Sequence, residues 1–454
     1  MTIRKSLAAA VDCVARPFSM RPVSVETQLG TDTLAAFVIV ADVLKLILLV
    51  SLVTAFAAAT VADERTDPPA IPVSEQQAER PDDELTPEAQ QAAADLMAQL
   101  PEDSEARAML DSILDGSQLG PGEGWFATAV SQTLFGWDHV VQSCDADHDE
   151  TVTAEEFGGT ADDFERIDRN GDHILTEADF DWSLHSLERT PGVMLFFQAD
   201  RDANGKLTKQ EIVSMFESLD SDARGFVSLD ELRDQFQPPD EQQQQERRAS
   251  RSDRPSRSTL VLGLQRQEIG SLSPGPDVGN AAPDFTLKRI DHGDDVTLSQ
   301  EIGEQPIVLI FGNFTCGPFR SQAGNIEKLY ERYRNRAKFF LVYVREAHPT
   351  DGWNMNSNQR VGIEIAQPAE QQQRMKVAQT CQQHLDLDLP FLVDTIDDQA
   401  GTAYSGMPNR LYLIDRDGRI VFKNGRGPFG FHPRQLEQAL LLLLNNRQQT
   451  RSGN

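Results

Sequence analysis

Residues 307–322 read I-V-L-I-F-G-N-F-T-C-G-P-F-R-S-Q, five consecutive apolar residues running into a glycine and, four positions later, a cysteine. A short unbroken apolar run bounded by turn residues predicts a central strand buried on both faces. Beyond it Ile326, Leu329 and Tyr330 recur at helical spacing, so Cys316 falls between a strand and the helix that follows. The partial positive charge of a helix N-terminus favours a thiolate, which predicts a lowered pKa and a reactive Cys316. C-G-P-F lacks a second cysteine, and the chain contains no C-x-x-C. Its four cysteines, Cys13, Cys144, Cys316 and Cys381, are too scattered for a disulfide scaffold or a zinc site. Cys381, on the helix leading to Leu385, is read either as the thiol that resolves Cys316 or as a buried core cysteine.

The 454 residues allow two or three domains, and a hydrophobic content of 39% supplies a core for each. The formal charge of −29 is concentrated between residues 63 and 240. Such a field argues against nucleic acid or anionic lipid as its partner and suits a divalent cation. Residues 1–33 read as a cytoplasmic or n-region segment and 34–62 as a signal anchor or signal peptide. Bases at Arg4, Lys5, Arg16 and Arg21 and acids at Asp63, Glu64 and Asp67 orient that segment. Everything beyond it is expected outside the cytoplasm, periplasmic or secreted, with the membrane as a partner if the segment stays uncleaved. Residues 63–104 read as a disordered acidic linker, 237–258 as a second linker, 259–278 as a connecting segment and 447–454 as a tail. The linker at 237–258 is expected to leave the modules on either side independent.

Residues 105–236 carry four twelve-residue loops patterned as EF-hands. A hard cation takes six or seven oxygens at about 2.3–2.6 Å, so such loops place oxygen ligands at positions 1, 3, 5, 7, 9 and 12. Asp200, Asp202, Asn204, Lys206 through its carbonyl, Thr208 and Glu211 fill every slot, with Gly205 at the turn and Leu207 at the apolar eighth position. A second set is Asp168, Asn170, Asp172, Thr176 and Asp179, with His173 at the turn. A third is Asp145, Asp147, Asp149, Thr151, Thr153 and Glu156, with Glu150 at the turn. The fourth loop, from Asp220 to Glu231, puts Arg224 where a ligand belongs and reads as structural. The intervening segments, Trp125 to Val141 among them, supply helices whose core is expected from Phe157, Phe164, Phe180, Phe196, Phe197 and Phe216. Ca²⁺ is thus the expected cofactor, bound by a structural or buffering module.

From residue 279 the pattern changes to G-N-A-A-P-D-F-T-L, an opening similar to that of peroxiredoxin-like and other thioredoxin-fold proteins. F-G-N-F-T-C-G-P-F-R-S-Q (311–322), F-L-V-Y-V-R-E-A-H-P-T-D-G-W (340–353), A-Y-S-G-M-P-N-R-L-Y-L-I (403–414) and G-R-G-P-F-G-F (425–431) together resemble the iodothyronine deiodinases over residues 279–445, within a domain read as 279–446. The resemblance implies a thioredoxin-like α/β domain with Cys316 in the selenocysteine position and Thr315 beside it. It implies that Glu346 and His348 are the site acid and histidine, and that Arg410 is the arginine following the A-Y-G run. Pro368 stands where vertebrate members carry a further histidine, and Pro408 matches the cis-proline loop of thioredoxin folds. The fold class is therefore multidomain: an N-terminal hydrophobic helix, an all-α EF-hand module and an α/β thioredoxin-like domain. The resemblance implies a thiol-dependent oxidoreductase acting on a small-molecule or protein thiol or electrophile, with an external thiol reductant. The alternative is a calcium-binding interaction protein whose thioredoxin-fold domain is a non-catalytic docking platform.

Overall fold

Ile307–Gly312 is a strand with every residue buried, as its unbroken apolar run requires, and it lies inside the sheet with a neighbour on each side. The computed structural model describes residues 84–116, 130–182, 191–236, 255–291, 293–427 and 430–452. The strands are β1 (Gln132–Thr133), β2 (Thr286–Arg289), β3 (Asp295–Thr297), β4 (Ile307–Gly312), β5 (Lys338–Tyr343), β6 (Phe391–Val393), β7 (Arg410–Ile414) and β8 (Ile420–Lys423). They form one mixed sheet in the order β1-β8-β7-β4-β5-β6-β2-β3. β4 runs parallel to β5 and antiparallel to β7, and β7 pairs antiparallel with β8. Helix Ala323–Tyr333 connects β4 to β5, and helix Pro433–Ser452, after β8, packs on β7, β8 and helix Ala323–Tyr333. A β-α-β unit followed by an antiparallel hairpin and a closing helix is the thioredoxin-like arrangement expected for this part of the chain.

The N-terminal half departs from expectation in several places. Residues 87–99, read as part of a disordered linker, form a helix N-capped by Thr86, with Ala89, Ala92, Ala93 and Leu96 buried. Its composition is polar and repetitive, but these four positions share one helical face. This helix packs with Glu105–Leu114 and Arg257–Gln265 into a separate three-helix core. Helix Glu105–Leu114 therefore belongs to that cluster rather than to the loop module. The linker expected at 237–258 gives way at Ser256, whose side chain caps helix Arg257–Gln265. Residues 132–133, expected in a helix, form β1 and extend the sheet beside β8. Phe197, expected in the core, is 59% exposed. The segments 1–33 and 34–62, and most of the remaining linker residues, lie outside the described residues. Among the described residues no helix is long and apolar enough to cross a membrane.

Independence of the modules is also corrected. Phe157, Phe164 and Ile167 share one core with the sheet. Asn445 Nδ2 donates to the Phe157 carbonyl at 2.8 Å, Gln438 Nε2 donates to the Asp179 carbonyl at 2.9 Å, and Arg336 pairs with buried Asp163 at 3.1 Å. The first two loops are thus seated on helix Pro433–Ser452 and its surroundings.

Arg410, which the resemblance implies as a site residue, lies in a buried ion-pair cluster. With Arg426 it is buried, and Glu105 spans the two guanidinium groups at 3.3 and 3.1 Å. Arg410 also donates to the carbonyls of Asn424 and Pro274. Burial works to raise the Glu105 carboxyl, but Arg410, Arg426 and Lys423 overcome it and hold the carboxyl below the usual range. Burial lowers the Arg426 pKa to about 10 against the pull of Glu105. Replacing one partner strands buried charge on the other, so Glu105→Ala should cost about 3 kcal/mol in urea melts at neutral pH. Because the Glu105 pKa is depressed on folding, its contribution is complete above the unfolded carboxylate range and lost as pH falls through the folded value. The difference between wild type and variant should therefore shrink on acidification.

Candidate functional site

β4 ends at Gly312, and the next four residues form a tight buried turn before the five-residue helix Gly317–Ser321, of which Cys316 is the N-cap residue. The turn is held by side-chain bonds. Thr315 Oγ1 lies 2.8 Å from Glu346 Oε2 and 3.1 Å from Asn313 Oδ1, and it accepts from the backbone N–H of His348 at 3.0 Å. The Thr315 N–H donates to the same Glu346 oxygen at 3.0 Å, and Tyr343 Oη donates to Glu346 Oε1. β5 delivers Tyr343, and the loop leaving β5 delivers Glu346 and His348. The parallel register of Gly312 with Tyr343 brings the ends of β4 and β5 together. Expected site residues Thr315, Glu346 and His348 are thereby joined in one hydrogen-bonded group beside Cys316.

Cys316 is 1% exposed, and its sulfur accepts from Asn409 Nδ2 at 3.1 Å. Asn409 follows the cis peptide Met407-Pro408, which matches the loop expected at Pro408. Arg320 embraces the turn: it donates to the Phe314 carbonyl and to Asn358 Oδ1, while Asn358 Nδ2 donates to the Thr315 carbonyl at 2.8 Å. The lowered thiol pKa expected from the helix terminus does not hold. Burial raises it, and the bonds from the Phe319 N–H and Asn409, together with the Arg320 charge, offset only part of that rise. Burial likewise raises the pKa of Glu346 despite the donors from Tyr343 and Thr315. The His348 imidazole stacks edge-on against Trp353 at 4.5 Å, with Nδ1 3.2 Å from the Trp353 carbonyl. A carbonyl only accepts, so Nδ1 carries hydrogen.

Cys381 is wholly buried, and burial pushes its thiol well above the ordinary range, which fits the core alternative rather than a resolving thiol. Arg410 faces Glu105 as described. Asn313, Arg320, Tyr343, Asn358 and Asn409 were missed. Asn313 and Arg320 stand inside the motif around Cys316, and Asn409 directly follows Pro408, so polar residues retained next to apolar strands were the available signal.

The four acidic loops share one backbone form. Positions four and six have left-handed φ in each: His148 and Glu150, Gly171 and His173, Ala203 and Gly205, Ala223 and Gly225. Val152 and Leu175, the eighth residues of the first two loops, form an antiparallel bridge. Carboxylate oxygens of Asp145, Asp147 and Asp149 lie within 4.8 Å of one another, as do those of Asp200, Asp202 and Glu211. Hard oxygen donors gathered in this way are the type a calcium ion takes, and Asn204, Lys206 and Thr151 stand at the adjoining ligand positions of the sequence pattern. In the second loop Asn170 Nδ2 donates to Asp172 at 2.8 Å, Asp168 accepts from the Gly171 and His173 N–H groups, and buried Asp179 accepts from the Arg169 N–H at 2.8 Å. In the fourth, Arg224 Nε pairs with Asp222 at 2.7 Å, so a cation already sits among the ligand positions.

The family model described as iodothyronine deiodinase matches residues 261–442. The chain is 32% identical over 195 residues to type II iodothyronine deiodinase of Homo sapiens, covering 40% of this chain and 71% of that protein. It is 32% identical over 163 residues to thyroxine 5-deiodinase of Gallus gallus, covering 36% of this chain and 58% of that protein. The chain thus spans little more than half the length of the latter relative. Among solved structures, a putative thiol:disulfide interchange protein DsbE from Chlorobium tepidum covers 37% of this chain and 98% of its own, at 23% identity and a TM-score of 0.28.

The raised thiol pKa has a measurable signature. Alkylation of Cys316 by iodoacetamide, followed on its peptide by mass spectrometry, should rise with pH along a curve centred above the ordinary thiol value of about 8.5. An N–H bonded to sulfur favours the thiolate, so Asn409→Ala should move that curve further up.

Proposed function

The chain belongs to the iodothyronine deiodinase family, and from that premise we propose that its thioredoxin-like domain is a thiol-dependent oxidoreductase acting on a soft electrophilic atom of a small-molecule substrate. The observation that carries this reading is the joining of Thr315, Glu346 and His348 immediately beside Cys316. In the proposed reaction the Cys316 thiolate attacks a halogen, or a sulfur, of the substrate R–X. The S–X bond forms as the R–X bond breaks; the proton released by the Cys316 thiol is held at His348 Nε2 and passes to the leaving group, a carbanion where X is halogen or a thiolate where a disulfide is attacked. A first external thiol displaces X, giving a mixed disulfide and HX, and a second releases Cys316 as an external disulfide forms. The sum is R–X plus two thiols giving R–H, HX and one disulfide. Because the thiol is buried and its pKa raised, its ionisation accompanies substrate entry or opening of the turn. Glu346 acts through position: it holds Thr315, and Thr315 holds the His348 backbone.

The same burial favours a second reading, a docking platform in which Cys316 is inert. Turnover separates the two. Assayed against aryl iodides and disulfides with dithiothreitol, the wild type should turn over and Cys316→Ser should not. His348→Ala should slow turnover by about 10²- to 10⁴-fold. Alkylation of Cys316 should change far less in that variant. Absence of turnover together with an unreactive Cys316 would install the docking reading.

We also propose that residues 130–236 are a calcium-binding EF-hand module, on the strength of the shared loop geometry and donor sets. The charge pattern flanking residues 34–62 supports a location outside the cytoplasm, where calcium is abundant. Calorimetric titration should detect two or three Ca²⁺ sites and a raised melting temperature. Glu211→Gln should remove one of them. A melting temperature indifferent to calcium and chelator would refute the module.

A further inference from the structure

The third loop, Asp200 to Glu211, lies directly on the segment that carries Cys316. The Gly324 N–H donates to the Gly205 carbonyl at 3.2 Å. Packing here leaves no room for a side chain on either glycine: a Cβ on Gly205 would fall 2.0 Å from the Arg320 carbonyl oxygen, and one on Gly324 would fall 2.6 Å from the Gly205 carbonyl oxygen. On the other flank, His384 Nε2 donates to the Asp202 carbonyl at 3.0 Å, and its ring meets Phe314 edge-on at 5.2 Å. Lys206 Nζ pairs with Asp386 at 3.0 Å. The loop therefore bears on the backbone of Arg320, whose guanidinium encloses the Cys316 turn, and, through His384, on Phe314 before it.

We propose that this contact couples ion binding in the third loop to the reactivity of Cys316, with calcium holding the Cys316 turn closed. The inference rests on the calcium reading of the loop. Its chemistry follows from the contact. A cation drawing on Asp200, Asp202, Asn204, the Lys206 carbonyl and Glu211 fixes the backbone at Gly205 and Lys206, the two residues that grip Gly324 and Asp386. Reaction at a sulfur that is 1% exposed requires local opening of the turn. An ion that binds the clamped form better than the opened one suppresses that opening, and the opened or modified turn must weaken the ion's binding by the same factor.

The experiment measures iodoacetamide alkylation of Cys316, read on its peptide, in excess calcium and in excess chelator. Calcium affinity is measured calorimetrically on unmodified and Cys316-alkylated protein. Calcium should slow Cys316 by about 5-fold or more, and alkylation should weaken one calcium site by a similar factor. Gly324→Ala, which forces the loop off the helix without touching a ligand oxygen, should retain calcium binding and lose the effect on Cys316. Lys206→Gln, a milder change that keeps the Lys206 backbone carbonyl, should reduce the effect. Glu211→Gln should abolish it while the first two loops still bind. Calcium binding to the third loop with an unchanged Cys316 rate overturns the coupling and leaves the calcium reading intact. No binding at that loop overturns both.

Discussion

Glu346 is a carboxyl group almost closed to water, and the turn that carries Cys316 is built on it. One of its oxygens takes both donors of Thr315, and the other takes Tyr343. Each of those donors is buried and would cost about 1–3 kcal/mol if left without a partner. The group thus fixes the spacing between the ends of β4 and β5, and with it the position of the His348 backbone. Its raised pKa is the electrostatic consequence of that placement. A thiol in the same buried pocket is subject to the same penalty, which is why Cys316 is held in check rather than activated by its helix.

The remainder of the chain is arranged around this buried polar turn. Glu105 ties a three-helix cluster to Arg410 and Arg426 on the far side of β7, and the first two acidic loops rest on the closing helix. The third loop rests on the turn's own supporting residue, Arg320. Among the described residues these contacts join segments that composition alone divides into independent modules. A reactive group joined in this way inherits the stability of its neighbours, so its access to reagents is set by opening free energies and not by surface exposure alone.

The parts legible in the sequence were those fixed by local pattern. The apolar run 307–311 predicts the central strand, and the family resemblance points to Thr315, Glu346 and His348, which the fold brings into one hydrogen-bonded group beside Cys316. The alternation of carboxylates gave loops whose backbone turns fall at the expected sixth residues. The parts that were not legible depend on long-range contact. Nothing local to Arg410 announces Glu105, more than 300 residues away in sequence, as its partner. A helix terminus is visible in sequence and burial is not, and at Cys316 burial dominates the thiol pKa. The helix at 87–99 was hidden because alanines at helical spacing look like low complexity when counted rather than placed.

In the proposed reaction Cys316 itself takes the electrophilic atom. The most direct test is a single turnover of an aryl iodide without reductant, in the presence of a sulfenic-acid trap. An S–I bond at Cys316 hydrolyses to the sulfenic acid and HI, so trap mass should appear on the Cys316 peptide in one-to-one proportion with the deiodinated arene released. Arene released with Cys316 unmodified, or at the same rate from Cys316→Ser, would contradict it.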